Sequence, residues 1–183
     1  MQNKTKGVFE RNEVVKCLIE RRSVKKYRPE QIEPEALDAI LTAGTWAPSG
    51  MGRQPCKIVV LQKPEDIAEL EKLNASVLGN PDAHPFYGAP TVCVIFADAG
   101  ASTAVEDGSL VIGNMLNAAH SLGVGSCWIH RARQEFQLPE GRALMQKWGL
   151  DERYIGIGHC ILGYAAQQPA APKPRKPDFV VRV

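Results

Sequence analysis

Arg21, Arg22, Ser23 and Lys25 place two guanidiniums, a hydroxyl and an ammonium in one short stretch. That grouping suits a phosphate, because a guanidinium grips oxygens at two points while a hydroxyl and free backbone N–H groups complete a cradle. A second segment, A-P-S-G-M-G-R-Q-P at 47–55, concentrates turn residues, and a K-P-R-K run at 173–176 adds cations near the other end of the chain. Taken singly, each has a plainer reading. The first could be a solvated basic helix end, the second an ordinary Pro/Gly loop, and the third an exposed Pro-spaced tail.

Other chemistries have no foothold. There is no G-x-x-x-x-G-K-[ST], and the nearest approach to G-x-G-x-x-G, beginning at Gly156, lacks its third glycine and lies in a strand-like run,. His84, His120, His130 and His159 form no H-x-x-x-H pair, and no serine stands in a G-x-S-x-G elbow,. No metal site is expected, and His120 and His159 read as hydrogen-bonded structural residues. The five cysteines are odd in number and include no C-x-x-C, which is neither a zinc pattern nor a disulfide framework,. Cys17, Cys93, Cys127 and Cys160 sit among apolar or small residues and read as core thiols, whereas Cys56 follows the turn-rich segment,.

The elements that must position these groups follow from composition and periodicity. A chain of 183 residues with 44% hydrophobic and 23% charged residues matches one globular domain with an apolar core, followed by a C-terminal arm from about Gln168,. A net charge of only +2 argues against a dedicated nucleic-acid or membrane-surface binder,. No apolar run reaches the ~20 residues of a spanning helix, and the first residues lack the apolar centre of a signal peptide, so a soluble, cytoplasmic protein is expected.

Asn12 precedes an apolar stripe of Val14, Val15, Leu18 and Ile19, so a first helix ends in the basic segment,. Pro34 opens a second helix that stops near Gly44 and empties into the 47–55 loop,. Strands are expected at 57–61, 91–97, 126–129 and 154–164, with helices at 64–73, 102–122 and from Pro139. Leu110, Val111, Ile112, Met115, Leu116 and Leu122 cover so much of the 102–122 helix that it reads as central and buried,. Gly156, Gly158 and Gly163 in the last strand mark places where a ligand or another backbone could approach closely,. The sum is an α+β domain.

In this order, the segments resemble the nitroreductase family of FMN-dependent oxidoreductases. The resemblance runs from about Val14 to the C-terminus. It rests on E-R-R-S-V-K-K-Y at 20–27, A-P-S-G-M-G-R-Q-P before a strand, H-P-F-Y-G-A-P before the next strand, G-V-G-S-C-W-I at 123–129, and P-K-P-R-K near the end. It implies a central mixed sheet packed by helices, in an intertwined homodimer with FMN at the subunit interface. It further implies that Arg21, Arg22, Ser23 and Lys25 hold the phosphate and ribityl chain, joined by Lys173 and Arg175. A phosphate of as many as about two negative charges gives cations from both ends of the chain a reason to converge.

By the same resemblance, Pro48, Ser49, Gly50, Met51 and then Gln54 approach the flavin from the partner subunit. The backbone of Ile129, His130 and Arg131 faces the ring near N5, and Asn74 lies near a position that can touch it. The implied activity is hydride transfer from NADH or NADPH through flavin N5 to a nitroaromatic, quinone or similar small aromatic acceptor, in ping-pong fashion and with no catalytic side chain. Alternatives are a specialised branch of the same superfamily (flavin fragmentation, dehalogenation or dehydrogenation), for which a lid between Leu73 and Pro90 would be short, and a non-catalytic flavin-binding module. The chain departs from the family pattern at Gly52 and Cys56, where relatives have Asn and Trp, and at His130-Arg131, where a glycine commonly follows W-I. If the His130 and Arg131 side chains line the pocket, an anionic acceptor is favoured.

Overall fold

The computed structural model describes residues 12–183. The reading of the first residues as lacking a signal segment falls mainly on 1–11 and lies outside the described residues.

Helix α1 (Glu13–Glu20) starts where the Asn12 side chain accepts a hydrogen bond from Val15 N at 3.0 Å,. Helix α2 (Pro34–Thr45) has proline in its first turn and leads through a single 3-10 turn (Gly50–Gly52) into β1 (Cys56–Leu61). Helix α3 (Pro64–Leu78) runs one turn beyond the expected end and stops where Gly79 adopts a left-handed φ of 75°,. Then come β2 (Thr91–Asp98), α4 (Ala104–Ser121), β3 (Gly125–Ile129), a short α5 (Ala132–Glu135), α6 (Pro139–Lys147) and β4 (Tyr154–Gly163). Four residues give α5 too little length for a periodic signal, and it was not anticipated.

The strands pair antiparallel throughout in the order β1-β2-β4-β3, and among the described residues the parallel element is one bridge between Ser23 and Ser126. Strand β2 shows why the sheet must be covered on both faces. Val92, Val94 and Phe96 point into a core with Leu70, Phe86, Phe136 and Met145, while Cys93, Ile95 and Ala97 face Ile40, Ile112 and Met115,. Helices α3, α5 and α6 therefore cover one face, and α2 and α4 the other. Each large side chain buried this way contributes about 1.5–3 kcal/mol.

Between Ile95 and Phe96 the β2–β4 register slips by one, and Gly156 stands beside that slip. A Cβ there would lie 2.5 Å from the Ala132 carbonyl oxygen, so the glycine lets α5 sit directly on β4,.

Two expectations need correction. Helix α4 is buried on one side only, because Val105, Leu110 and the following Leu122 are exposed while the polar Asp107 is buried. Cys17 is half-buried at the surface rather than in the core, since α1 lies outside both helix layers and contributes no fully buried residue.

Candidate active site

The basic segment begins at the end of α1. Arg22 Nη1 donates to the carbonyls of Ile19 and Arg21, both at 2.7 Å, and so satisfies acceptors that the helix end leaves free,. Arg21 is half-buried, and its Nη1 is enclosed with no hydrogen-bond partner among the described residues. A buried, unpaired guanidinium nitrogen costs free energy that an anion would recover. Lys25 is exposed, with Nζ 5.7 Å from the centre of the Tyr87 ring,.

This segment is clamped along the outer edge of the sheet. Val24 N donates to Ser126 O at 3.0 Å, Tyr27 pairs with Ala165, and Ala166 N donates to Lys26 O at 3.0 Å. The chain leaving β4 is thereby brought beside the basic segment. Residues 168–172 line a cavity of about 270 Å³ together with Arg22, His120 and Ser126. Lys173 follows Pro172 at the end of that wall, and both Lys173 and Arg175 are exposed.

From Ser126 the edge strand continues to the other expected site. At about 3.3 Å per residue, His130 stands about 13 Å further along. Ile129 is buried opposite His159, His130 exposes its side chain, and Arg131 adopts a left-handed φ of 84° at the cap of α5. Asn74, on α3, is fully buried against this turn. Its Nδ2 donates to His130 O at 3.0 Å, and its Oδ1 accepts from Arg131 Nε and Nη2 at 3.0 and 2.7 Å.

The third segment is held by a different partner. Gly50 N donates to Asp107 Oδ1 at 3.0 Å, and Thr103 Oγ1 donates to Asp107 Oδ2 at 2.9 Å. Gln54 N donates to Ser49 Oγ at 3.0 Å, and Met51, Gly52 and Gln54 all have positive φ. The loop leaves Pro48, Met51 and Gln54 exposed, and Pro48 and Gln54 line a cavity of about 480 Å³ together with Ser49, Cys56 and Asp107. Among the described residues, no hydrogen bond or ion pair joins this loop to the basic segment or to the 129–131 turn. A larger cavity of about 620 Å³, between α6 and the start of β4, contains none of the expected site residues, so size does not locate the chemistry.

Asp107, Thr103 and Glu135 were not anticipated. Asp107 shares a helical face with Val111, and that spacing is the one sequence signal for its burial.

The sequence profile described as the nitroreductase family matches residues 18–164. The chain belongs to the nitroreductase family. That membership makes it an oxidoreductase. This nitroreductase-family chain superposes with a TM-score of 0.87 on a nitroreductase with bound FMN from Bacteroides fragilis, at 30% identity over 94% of this chain and 99% of that one. A relative from Methanothermobacter thermautotrophicus, provisionally named NADH dehydrogenase/NAD(P)H nitroreductase, is 29% identical over 95% of this chain and 88% of its own length. The FMN reductase [NAD(P)H] of Bacillus subtilis is 26% identical over 93% of this chain and 72% of its own length.

Proposed function

We propose that this protein is an FMN-dependent NAD(P)H oxidoreductase that reduces nitroaromatics, quinones or similar conjugated acceptors. The Nη1 of Arg21, enclosed and without a partner among the described residues, carries this reading, because it lies in a cationic segment beside the strand that leads into His130. Arg21, Ser23 and Lys25 would hold the phosphate, with Arg22 bracing the helix end and Lys173 and Arg175 adding charge from the tail. The backbone of Ile129, His130 and Arg131 would face the ring. Bound FMN supplies a two-electron carrier between a nicotinamide and a second substrate. The chain's own task is to bind, orient and shield the reacting groups, which requires no side-chain nucleophile.

A second copy of the chain would complete the site with Pro48, Ser49, Gly50, Met51 and Gln54. Support comes from apolar side chains left uncovered on one copy: Val14 is 70% exposed and Trp46 81%,. No helix among the described residues is long and apolar enough to cross a membrane. Five unpaired thiols are consistent with a reducing, cytoplasmic setting,. If the side chains of Arg131 and the exposed His130 line the pocket, they would favour an anionic acceptor.

The test is steady-state kinetics of the yellow protein with NADH and NADPH against a quinone and a nitroaromatic. Parallel double-reciprocal lines are expected. A protein that holds FMN but oxidises neither nicotinamide would be a flavin carrier instead.

A further inference from the structure

Behind the 129–131 turn lies a buried polar chain that crosses three elements. His159, in the middle of β4, and Glu135, at the end of α5, have no solvent exposure, and His159 Nε2 lies 3.0 Å from Glu135 Oε2. The two atoms approach as an ion pair but meet no regular hydrogen-bond geometry. The Phe86 ring, with its centre 5.3 Å from the imidazole, helps close them off.

His159 Nδ1 is 3.2 Å from the carbonyl oxygen of Ile129. A carbonyl only accepts, so Nδ1 carries a hydrogen. Two bare lone pairs 3.0 Å apart would repel, so a further proton sits on Nε2 or Oε2. The pair is neutral overall in either arrangement. Both arrangements leave Glu135 Oε1 as an acceptor, and it takes the Asn74 amide hydrogen.

Asn74 is consequently fixed. Its amide nitrogen faces two obligatory acceptors, Glu135 Oε1 and His130 O, and its oxygen faces two obligatory donors on the Arg131 guanidinium. Those four bonds exhaust the side chain's capacity. A flipped amide would set donor against donor and acceptor against acceptor. Nothing remains with which Asn74 could hold a flavin unless one of these bonds breaks.

We propose that Asn74, oriented by the buried Glu135–His159 pair, is a positioning residue that fixes the Ile129–Arg131 turn and the Arg131 guanidinium at the end of β3. This rests on the reading of that turn as the face presented to FMN. The arrangement suits a left-handed Arg131, whose backbone conformation disfavours a side chain and needs outside support,. It also ties Arg131 to α5 at both ends, because Glu135 N donates to Arg131 O at 3.0 Å.

The test is hydrogen exchange of the FMN-loaded protein, read at the 129–132 amides with β2 as internal standard, alongside the visible spectrum and midpoint potential of the bound flavin. Asn74→Leu removes all four bonds, and Glu135→Leu removes the orienting acceptor. Glu135→Gln keeps one oxygen for Asn74 and offers an N–H to His159. We expect both leucine variants to exchange at 129–132 about tenfold faster or more, with a shifted potential, and Glu135→Gln to stay near wild type. If a leucine variant loses β2 protection, Arg131→Gly takes its place. It suits the left-handed backbone, removes the whole Arg131 side chain with its two bonds to Asn74, and is expected to raise exchange at 129–132 in the same way. Unchanged exchange in the folded variants, or a Glu135→Gln as impaired as Glu135→Leu, overturns the proposal. If wild type binds no FMN, the flavin reading fails, while the exchange comparison on the same protein still decides whether Asn74 fixes the turn.

Discussion

Ser23 lies beside Ser126 in a parallel bridge, so the basic segment starting at Arg21 and the strand ending at Ile129 share one edge of the sheet. Edge strands leave backbone groups unpaired. Here the bridge and the Val24-to-Ser126 hydrogen bond use part of that edge to hold a cluster of cations in register with the turn some 13 Å away,. The cations and the turn are thus fixed by one strand rather than by two independent loops.

The tether of the 47–55 loop is open to a steric test. A Cβ on Gly50 would stand 2.3 Å from Thr103 Oγ1, which is engaged with Asp107. Gly50→Ala must displace Thr103 and strain the bond from Gly50 N to Asp107. A loss of about 1–3 kcal/mol is expected, measured by urea unfolding and accompanied by weaker FMN binding. An unchanged midpoint and affinity would mean that the tether is not needed.

The thiols divide by burial. Desolvation pushes Cys56 up to about 11 and Cys93 up to about 12, and holds Cys160 well above its ordinary value. The thiolate is the reactive form. Cys93 and Cys160 are therefore expected to resist a disulfide reagent in the folded protein, and Cys56 to react slowly at neutral pH and faster as pH approaches 11. Rapid labelling of Cys56 at pH 7 would contradict this.

Lys147 Nζ reaches Asp66 Oδ1 at 2.8 Å and joins α6 to α3. The hydrogen bond to Lys147 holds the Asp66 carboxyl below its ordinary value, and the same bond raises Lys147 above its own. A depressed acid contributes stability that is lost as pH falls through its folded value, and a raised base contributes stability that is lost as pH rises through its own. Lys147→Met is therefore expected to be less stable than wild type between about pH 4 and pH 10. The difference should fade toward both extremes. A constant difference across the whole range would assign the effect to packing instead.

Most of the layering was legible in the sequence, because the almost wholly apolar, β-branched run at 91–97 and the proline starts at Pro34, Pro64 and Pro139 are local signals,. The extent of α3 was not, since Asn74 and Ser76 weaken an apolar stripe that tertiary packing nevertheless completes. The segments around Arg21, Ser49 and Ile129 were legible through motif order. What escaped was what holds them. Glu135 looks like a surface charge in the sequence and Asp107 shows only its helical face, and it is the approach of α5 to β4 and of the 47–55 loop to α4 that buries them. Asn74 was singled out for possible contact with a ligand, whereas its four bonds run to Glu135, His130 and Arg131.

Arg21 is the residue proposed to receive the phosphate of FMN. The most direct measurement compares the affinity of wild type and Arg21→Ala for FMN and for riboflavin, which lacks the phosphate. One charge-assisted hydrogen bond is worth about 1.5–3 kcal/mol. Wild type should thus favour FMN over riboflavin, and Arg21→Ala should lose roughly 10- to 150-fold of that preference with riboflavin binding little changed. Equal affinity of wild type for the two flavins, or a preference that survives in Arg21→Ala, would remove Arg21 from the phosphate site.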